Sequence, residues 1–257
     1  NVFSAAVSLL KFEPNLQEHL HSGNDEVIQN PTDVISDLSK LPLLLKLMNV
    51  CPLPDLELEK LFRKLRASLL LSISDIKFSS ALLNFQSALA LQCFTNEYIY
   101  SYTKGEDAPL AALEAAIKQA FSNGDQPSPQ SILCLASYRP LYQYEWANSL
   151  LVNEKIDDTV KRQVVEPSIE AKFKSVIALL DDITDEVSSK VRDQYEVSPY
   201  PRWVNLGLPL KPISISKTVD EIPLKLHDYK ISAVEKPEIL IAGCGTGQHS
   251  IGTASRF

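Results

Sequence analysis

The stretch that decides the fold is ALLNFQSALALQCF, residues 81–94. Its apolar side chains fall on nearly every side of a helix rather than along one stripe. A helix that is apolar all round is normally buried, because it has no face that favours water. The sequence therefore predicts a central helix at 81–94, with other helices packed around it.

Start and stop signals place further helices on both sides of this stretch. Asn30-Pro31 and Ser128-Pro129 each give an N-cap followed by proline at the first helical position. Asn123-Gly124 gives a helix stop, and Pro54-Asp55 opens another helix. Apolar residues recur at helical spacing within the segments so defined. Two faces are predicted to point inward, formed by Leu58, Leu61, Phe62, Leu65 and Leu69, and by Leu110, Leu113, Ile117 and Phe121.

A last helix is predicted at about 181–196. Its apolar residues are expected to face inward, and Glu186 and Lys190 to form an i,i+4 ion pair outside. The inward residues are Ile183, Val187, Val191 and Tyr195.

Composition excludes several classes of protein. The 257 residues are 45% hydrophobic and 22% charged, with a net charge of −7, which argues against binding nucleic acid through bulk charge. No apolar run is long enough for a membrane span. Cys51, Cys93, Cys134 and Cys244 are too far apart for a zinc site. They fit buried thiols in a reducing cytoplasm, and no metal is expected.

The amino-acid composition of the chain changes after the last predicted helix. Five of the sixteen prolines fall between residues 198 and 230, which forbids a long helix and predicts an extended connector over 197–234. The run EILIAG, 238–243, is typical of a short buried strand of a parallel sheet. A helix is predicted to start at GQHSIGTASRF, 247–257.

Gly243, Gly245 and Gly247 lie between that strand and that helix. Glycines let the backbone turn sharply and approach a ligand, while N–H groups at the helix start point at it. A dinucleotide fingerprint would need glycine at position 248, where the chain has Gln248. The spacing therefore suits a different ligand.

ILIAGCGTGQ, 239–248, resembles the first motif of class I S-adenosylmethionine-dependent methyltransferases. A looser likeness covers QYEVSPYPRWVNLGLPLKP, 194–212, which resembles the segment before the catalytic domain of bacterial members that carry upstream tetratricopeptide repeats. The resemblance implies S-adenosylmethionine as cofactor. One departure is Ile241, where the family usually has an acid. The residues it implies as cofactor contacts are Ala242, Gly243, Cys244, Gly245, Thr246, Gly247 and Gln248.

Two readings of SPYPRW, 198–203, remain open. The segment is either a proline-stiffened linker with Trp203 buried, or a lid of the kind that the family often folds over its cofactor. As a lid, Arg202 would meet the cofactor carboxylate, and Tyr200 and Trp203 would cover the adenosine or the sulfonium.

The expected domain organisation is mostly α. Residues 1–25 resemble the seam between two tetratricopeptide repeats, 26–196 form a helical domain, 197–234 the connector or lid, and 235–257 the first β-α unit of a Rossmann-like methyltransferase domain. On this interpretation the chain is a piece of a longer enzyme, cut in the repeats at one end and in the catalytic domain at the other. It would be inactive alone.

The sequence is compatible with two alternative functions. In the first, the chain is part of a cytoplasmic methyltransferase and selects an unidentified methyl acceptor, for which a protein is one candidate. In the second, it is a helical protein-binding module without a catalytic role. Neither involves a membrane or a nucleic acid.

Two surface features also have alternative explanations. Six tyrosines and Trp146 fall in two clusters that either pack the helices, with hydroxyls at the surface, or line a binding groove. The tyrosines are residues 98, 100, 102, 138, 142 and 144. A basic run is expected to be a solvated face, because Glu57 and Glu59 neighbour it. It consists of Lys60, Arg63, Lys64 and Arg66.

Overall fold

The computed structural model describes residues 2–20, 27–77, 79–174, 176–177, 184–197, 202–221, 225 and 228–257. The chain divides into two compact units, residues 1–182 and 183–257. The described residues are mostly α-helical and contain no β-strand. The mostly α prediction is therefore confirmed, and no β-α unit of a Rossmann-like domain is formed in the described part of the chain.

In its described residues, the first unit contains ten α-helices, with two 3-10 turns and one π turn between the later ones. The helices are α1 (Val2–Leu10), α2 (Pro14–Leu20), α3 (Pro31–Leu38), α4 (Pro42–Val50), α5 (Leu56–Leu71), α6 (Ser80–Thr95), α7 (Lys104–Ser122), α8 (Pro129–Ala136), α9 (Asp157–Val160) and α10 (Glu166–Lys174). The 3-10 turns are Leu141–Gln143 and Glu145–Ser149, and the π turn is Lys161–Val165.

The core of this unit is organised around α6, as the sequence predicted. Twelve of its sixteen residues are buried, because α3 and α4 pack against it on one side and α8 and α9 on the other. Leu82, Phe85 and Leu89 belong to one hydrophobic cluster, whereas Leu83 and Ala90 belong to a second. The central helix thus joins the two halves of the core.

The helices beside α6 follow their start signals and their apolar spacing. The carboxylate of Asp55 accepts hydrogen bonds from the first-turn N–H groups of Glu57 and Leu58, which fixes the start of α5. At the end of α7, Gly124 takes a left-handed φ of +81°, which confirms the predicted stop. All the apolar residues predicted to point inward from these two helices are buried, except Phe121, which is half-buried.

The second unit contains four helices in its described residues, and its first one differs from the prediction. They are α11 (Glu186–Val197), α12 (Ile215–Glu221), α13 (Tyr229–Ser232) and α14 (Gln248–Arg256). Val187, Val191 and Tyr195 of α11 are exposed, so the prediction that they point inward is wrong. Ile183 lies outside the described residues. The predicted ion pair joins Lys190 and Glu186 at 2.6 Å.

The connector is also less extended than predicted. Helix α12 forms in the gap between Pro212 and Pro223, where nothing removes a backbone donor. The Ser214 hydroxyl starts this helix by accepting a hydrogen bond from the N–H of Lys217 at 3.2 Å. Short helices therefore fit between the prolines, although a long one does not.

The strand predicted at 238–242 is not formed. The segment has no regular secondary structure, and Leu240 is 93% exposed. A strand is held by hydrogen bonds to its neighbours, and within the described residues no other segment pairs with this one. An apolar run alone therefore does not produce a strand here.

Among the residues that the structure describes, no helix combines the length and the apolar character needed to cross a membrane.

Candidate functional site

Three left-handed glycines shape the loop before α14. Gly243, Gly245 and Gly247 have φ values of +77°, +54° and +82°. Side-chain-bearing residues rarely adopt this region, because their Cβ collides with the backbone. The N–H of Gly247 donates to the carbonyl of Cys244 at 2.9 Å, which closes a tight turn. The glycine spacing seen in the sequence is therefore used to fold the loop.

The loop leads directly into α14, so it faces the start of a helix. Gly247 is the N-cap residue, and its carbonyl accepts the first intrahelical hydrogen bond, from Ile251, at 2.9 Å. The first N–H groups of any helix have no intrahelical acceptor and carry partial positive charge. Among the described residues, apart from each glycine and its two chain neighbours, no heavy atom lies within 4 Å of where a Cβ would stand on Gly243 or Gly245. An anionic or polar group could therefore approach the backbone of the loop.

A residue from far back in the chain contacts this loop. The indole N–H of Trp203 donates to the carbonyl of Thr246 at 3.0 Å, across 43 positions of sequence. The segment is also tied to the other end of α14, since the N–H of Ile213 donates to the carbonyl of Arg256 at 2.7 Å. The connector therefore runs along the same helix that the glycine loop precedes.

The remaining predicted site residues are distributed around this contact. Arg202 is half-buried and directly precedes Trp203, whereas Tyr200 lies outside the described residues. Within the loop, Thr246 and Gly247 are half-buried, and the other predicted contacts are exposed. The exposed ones are Ala242, Gly243, Cys244, Gly245 and Gln248. The structure thus brings the loop and one predicted lid residue together.

Cys244 in the loop carries a thiol, and His249 after it carries an imidazole. The Cys244 thiol is exposed and its sulfur lies 3.7 Å from the carbonyl oxygen of Gly245. His249 is exposed in the first turn of α14. In the described parts of the chain, no group of three His, Cys, Asp or Glu side chains could hold a metal ion.

The first unit contains a buried charged network that the sequence reasoning missed. Arg66 was expected on a solvated face, but it is only 2% exposed. Its guanidinium donates to the carbonyls of Tyr100 and Ser101, each at 3.0 Å, and of Ser137 at 3.4 Å. It also lies over the Tyr138 ring, 4.3 Å from the centroid. The prediction fails because the neighbouring loops offer this cation carbonyl acceptors inside the protein.

Glu106 lies on the other side of Tyr138. This residue is buried, and its carboxylate accepts a hydrogen bond from the Tyr138 hydroxyl at 2.5 Å. It also accepts a hydrogen bond from the backbone N–H of Thr103 at 2.7 Å, which caps α7. Burial, together with the hydrogen bond to Glu106, raises the pKa of Tyr138. The phenol therefore stays protonated and continues to donate to the carboxylate.

The spacing of α5 carried a signal for this network. Arg66 follows Phe62 by four residues and Leu58 by eight, and both of these residues are buried. A charged residue in phase with a buried face either extends out of the core or finds partners inside it. Acidic neighbours such as Glu57 and Glu59 are compatible with either outcome, so they did not show whether Arg66 is solvated or buried.

Part of the tyrosine clusters packs the helices, whereas Tyr102 and Tyr142 are exposed. The hydroxyl of Tyr98 donates to the carbonyl of Ala136 at 3.1 Å, and that of Tyr144 donates to Glu114. Trp146 stacks on Tyr144 and on Phe121, with ring centroids 4.8 and 5.2 Å apart. The packing interpretation holds for these residues, but their hydroxyls bond to the protein rather than lying at its surface.

Three of the four cysteines are buried free thiols, as predicted, whereas Cys244 is exposed, so the prediction is wrong for that residue. The three buried ones are Cys51, Cys93 and Cys134. Burial raises the pKa of Cys93 to about 11 and that of Cys134 to about 12. Thiols of this kind are protonated at neutral pH and therefore poorly nucleophilic.

The chain was compared with protein-family models, curated proteins and solved structures, and none of them matches it.

Proposed function

We propose that the second unit contributes the first cofactor-binding loop of an S-adenosylmethionine-dependent methyltransferase. The observation that carries the proposal is the run of three left-handed glycines immediately before α14, with the Trp203 indole bonded to the same loop. A loop of this shape can present backbone N–H groups to a ligand without interference from side chains. The resemblance of 239–248 to the family's first motif supports S-adenosylmethionine as that ligand.

In this proposal, the chain's own residues bind and orient the cofactor. The N–H groups of the loop donate to its amino-acid end, and Arg202 pairs with its carboxylate through two parallel hydrogen bonds. This second contact offsets the departure at Ile241, where the family usually supplies an acid. Trp203, beside Arg202, covers the bound molecule. Methyl transfer in the family is a direct displacement at the sulfonium methyl, so catalysis consists mostly of alignment.

The methyl acceptor is selected by the helical first unit, and a protein is one candidate acceptor. The buried thiols are compatible with a reducing compartment, and we propose the cytoplasm as the location.

Titration calorimetry with S-adenosylmethionine tests the proposal, using the native protein that carries this chain. Gly245→Val should abolish binding, because a branched side chain resists a φ of +54° and occupies the space of the ligand. Gly207→Val is the matched control, since Gly207 also has a positive φ and open surroundings but lies outside the loop. Equal binding by the parent and Gly245→Val would contradict the proposal.

The same titration tests Arg202. Its alanine variant should bind S-adenosylmethionine roughly 10- to 150-fold more weakly, which corresponds to about 1.5–3 kcal/mol for a charge-assisted hydrogen-bonded pair. Lys211→Ala is the control, because Lys211 is an exposed cation of the same connector. If Arg202→Ala binds as tightly as the parent, the segment is a linker and not a lid.

A further inference from the structure

We propose that Trp203 is a positioning residue, whose indole N–H selects the orientation of the Thr246–Gly247 peptide in the glycine loop. This role deepens the proposed function, and it rests on that function for the identity of the ligand, S-adenosylmethionine. The observation that carries it is the hydrogen bond from the indole Nε1 to the carbonyl of Thr246, at 3.0 Å. All three residues belong to the second unit.

The Thr246–Gly247 peptide is held from two sides. In a trans peptide, the C=O and N–H groups point in opposite directions. The carbonyl of Thr246 accepts the indole N–H, and the N–H of Gly247 donates to the carbonyl of Cys244 at 2.9 Å. Trp203 and Cys244 therefore contact opposite edges of one peptide, and the indole bond supports the orientation that closes the turn.

Glycine at position 247 leaves this orientation open to change. Turning the peptide over changes mainly the ψ of Thr246 and the φ of Gly247. The φ of Gly247 would move from +82° to about −100°, and glycine adopts both signs of φ about equally readily. The flip would break the bond to the Cys244 carbonyl and open the turn. A donor from outside the loop therefore helps to favour the observed orientation, and Trp203 supplies one.

The orientation of the peptide matters for a ligand of the loop. A closed turn presents the backbone N–H groups in fixed directions, so a ligand that binds them loses less conformational entropy. With the peptide flipped, the loop must be reordered before it binds. One neutral hydrogen bond shifts such an equilibrium by roughly 2- to 13-fold, so losing the indole donor should weaken binding without abolishing it.

Two roles of Trp203 separate in the Trp203→Phe variant. Covering a bound cofactor needs an aromatic ring, which phenylalanine keeps. Selecting the orientation of the peptide needs an N–H donor, which phenylalanine lacks.

Gly247→Ala tests the same peptide from its other end. Alanine disfavours a φ of +82°, so the substitution favours the flipped peptide. The contact that its Cβ would make with the Ile251 side chain, at 3.9 Å, is an ordinary one. The effect of this variant is therefore conformational rather than steric.

Hydrogen exchange of glycine amides tests the role of Trp203 without any ligand, by nuclear magnetic resonance on the 257-residue chain. In Trp203→Phe, the N–H of Gly247 should exchange roughly 2- to 13-fold faster, because the bond to Cys244 is open more often. Gly252, within α14, is the internal reference and should exchange as in the parent. Equal acceleration at both glycines, or none at Gly247, would overturn the proposal.

Trp146→Phe is the matched control, because it removes the other indole of the chain, in the first unit. It should leave the exchange of Gly247 unchanged. Circular dichroism should show both variants to be as helical as the parent.

Titration calorimetry with S-adenosylmethionine, on the native protein that carries this chain, tests the link to the ligand. Trp203→Phe should bind roughly 2- to 13-fold more weakly than the parent. The double variant Trp203→Phe/Gly247→Ala should bind no more weakly than Gly247→Ala, because both changes act on one peptide.

Equal binding by Trp203→Phe and the parent, or additive losses in the double variant, would overturn the proposal and leave the proposed function standing. If the parent itself does not bind S-adenosylmethionine, the proposed function fails instead. The exchange of Gly247 then still decides whether Trp203 orients the loop.

Discussion

At the scale of single residues, the first unit depends on one buried cation. Arg66 holds the carbonyls of Tyr100, Ser101 and Ser137, which come from two separate loops. Burying a guanidinium is costly unless its donors are paired and its charge is compensated. The face of the Tyr138 ring, 4.3 Å from the guanidinium carbon, supplies part of that compensation. The arrangement converts an unfavourable burial into a link between loops that are distant in sequence.

Arg66→Leu should therefore lower the free energy of unfolding by about 3–5 kcal/mol, since it removes the guanidinium donor of the Tyr100 and Ser137 carbonyls and leaves the Ser101 carbonyl with Arg63 alone. Arg63→Leu is the control, and it should cost below about 1 kcal/mol. Arg63 is half-buried, and the Ser101 carbonyl that it contacts keeps its bond to Arg66. Urea denaturation of both variants measures the difference. Similar losses would show that the network is not the source of the stability.

This residue also marks a limit of sequence reasoning. The phase of Arg66 with Leu58 and Phe62 could be read from the chain, so its inward position was accessible. Its acceptors could not be predicted, because they are backbone carbonyls of loops 34 and 71 residues away. Local spacing tells which way a side chain points but not what it meets.

At the scale of elements, helices were predicted well and the strand was not. Helix α5 starts at Leu56 because Asp55 satisfies two of its N–H groups within three residues. A strand at 238–242 would instead need a partner elsewhere in the chain. Helix α11 lies between these two cases, because the helix was predicted correctly but the burial of its apolar face was not. Its periodicity correctly predicted a helix, but periodicity contains no information on what covers the face.

The cap of α5 predicts a pH dependence. Burial opposes ionisation of Asp55, but hydrogen bonds from Lys11 and from the N–H of Leu58 outweigh it and lower its pKa below the ordinary 3.8. The stability from this group is therefore present above about pH 4 and lost as the pH falls through the lowered pKa. Asp55→Asn keeps a capping side chain but loses the charge.

The Asp55→Asn variant should consequently be less stable than the parent by about 0.5–1 kcal/mol at pH 6, and the difference should shrink below pH 4. Urea denaturation at pH 6 and at a pH below 4 measures this difference in the free energy of unfolding. The control is Asp33→Asn, which makes the same substitution in the first turn of α3. A difference that stayed constant with pH would show that the Lys11 pair contributes nothing.

At the scale of the whole molecule, burial is concentrated in the first unit. In the described residues, every buried side chain lies between Leu10 and Val164. The second unit is held by caps and a few hydrogen bonds, such as that of Trp203. Segments with little buried apolar surface open more easily than a packed core.

Limited proteolysis should therefore cut first between residues 183 and 257 and leave the helices around α6 intact. Mass spectrometry identifies the cuts, and far-ultraviolet circular dichroism should show the retained piece to be helical. The chain unfolded in urea is the control, since it should be cut throughout. Early cuts within α5 or α6 would contradict this distribution of stability.

The placement of the two tryptophans has a spectroscopic consequence. Trp146 is stacked between Tyr144 and Phe121 in the first unit. In the second unit, the indole of Trp203 is hydrogen-bonded to the glycine loop. Each unit thus contains one indole fluorophore, in a different environment. In a Trp146→Phe variant, emission would come from Trp203 alone and would report directly on the loop. In a Trp203→Phe variant, emission from Trp146 would report on the helical core. The unfolding of each unit could then be followed by the fluorescence of its own tryptophan.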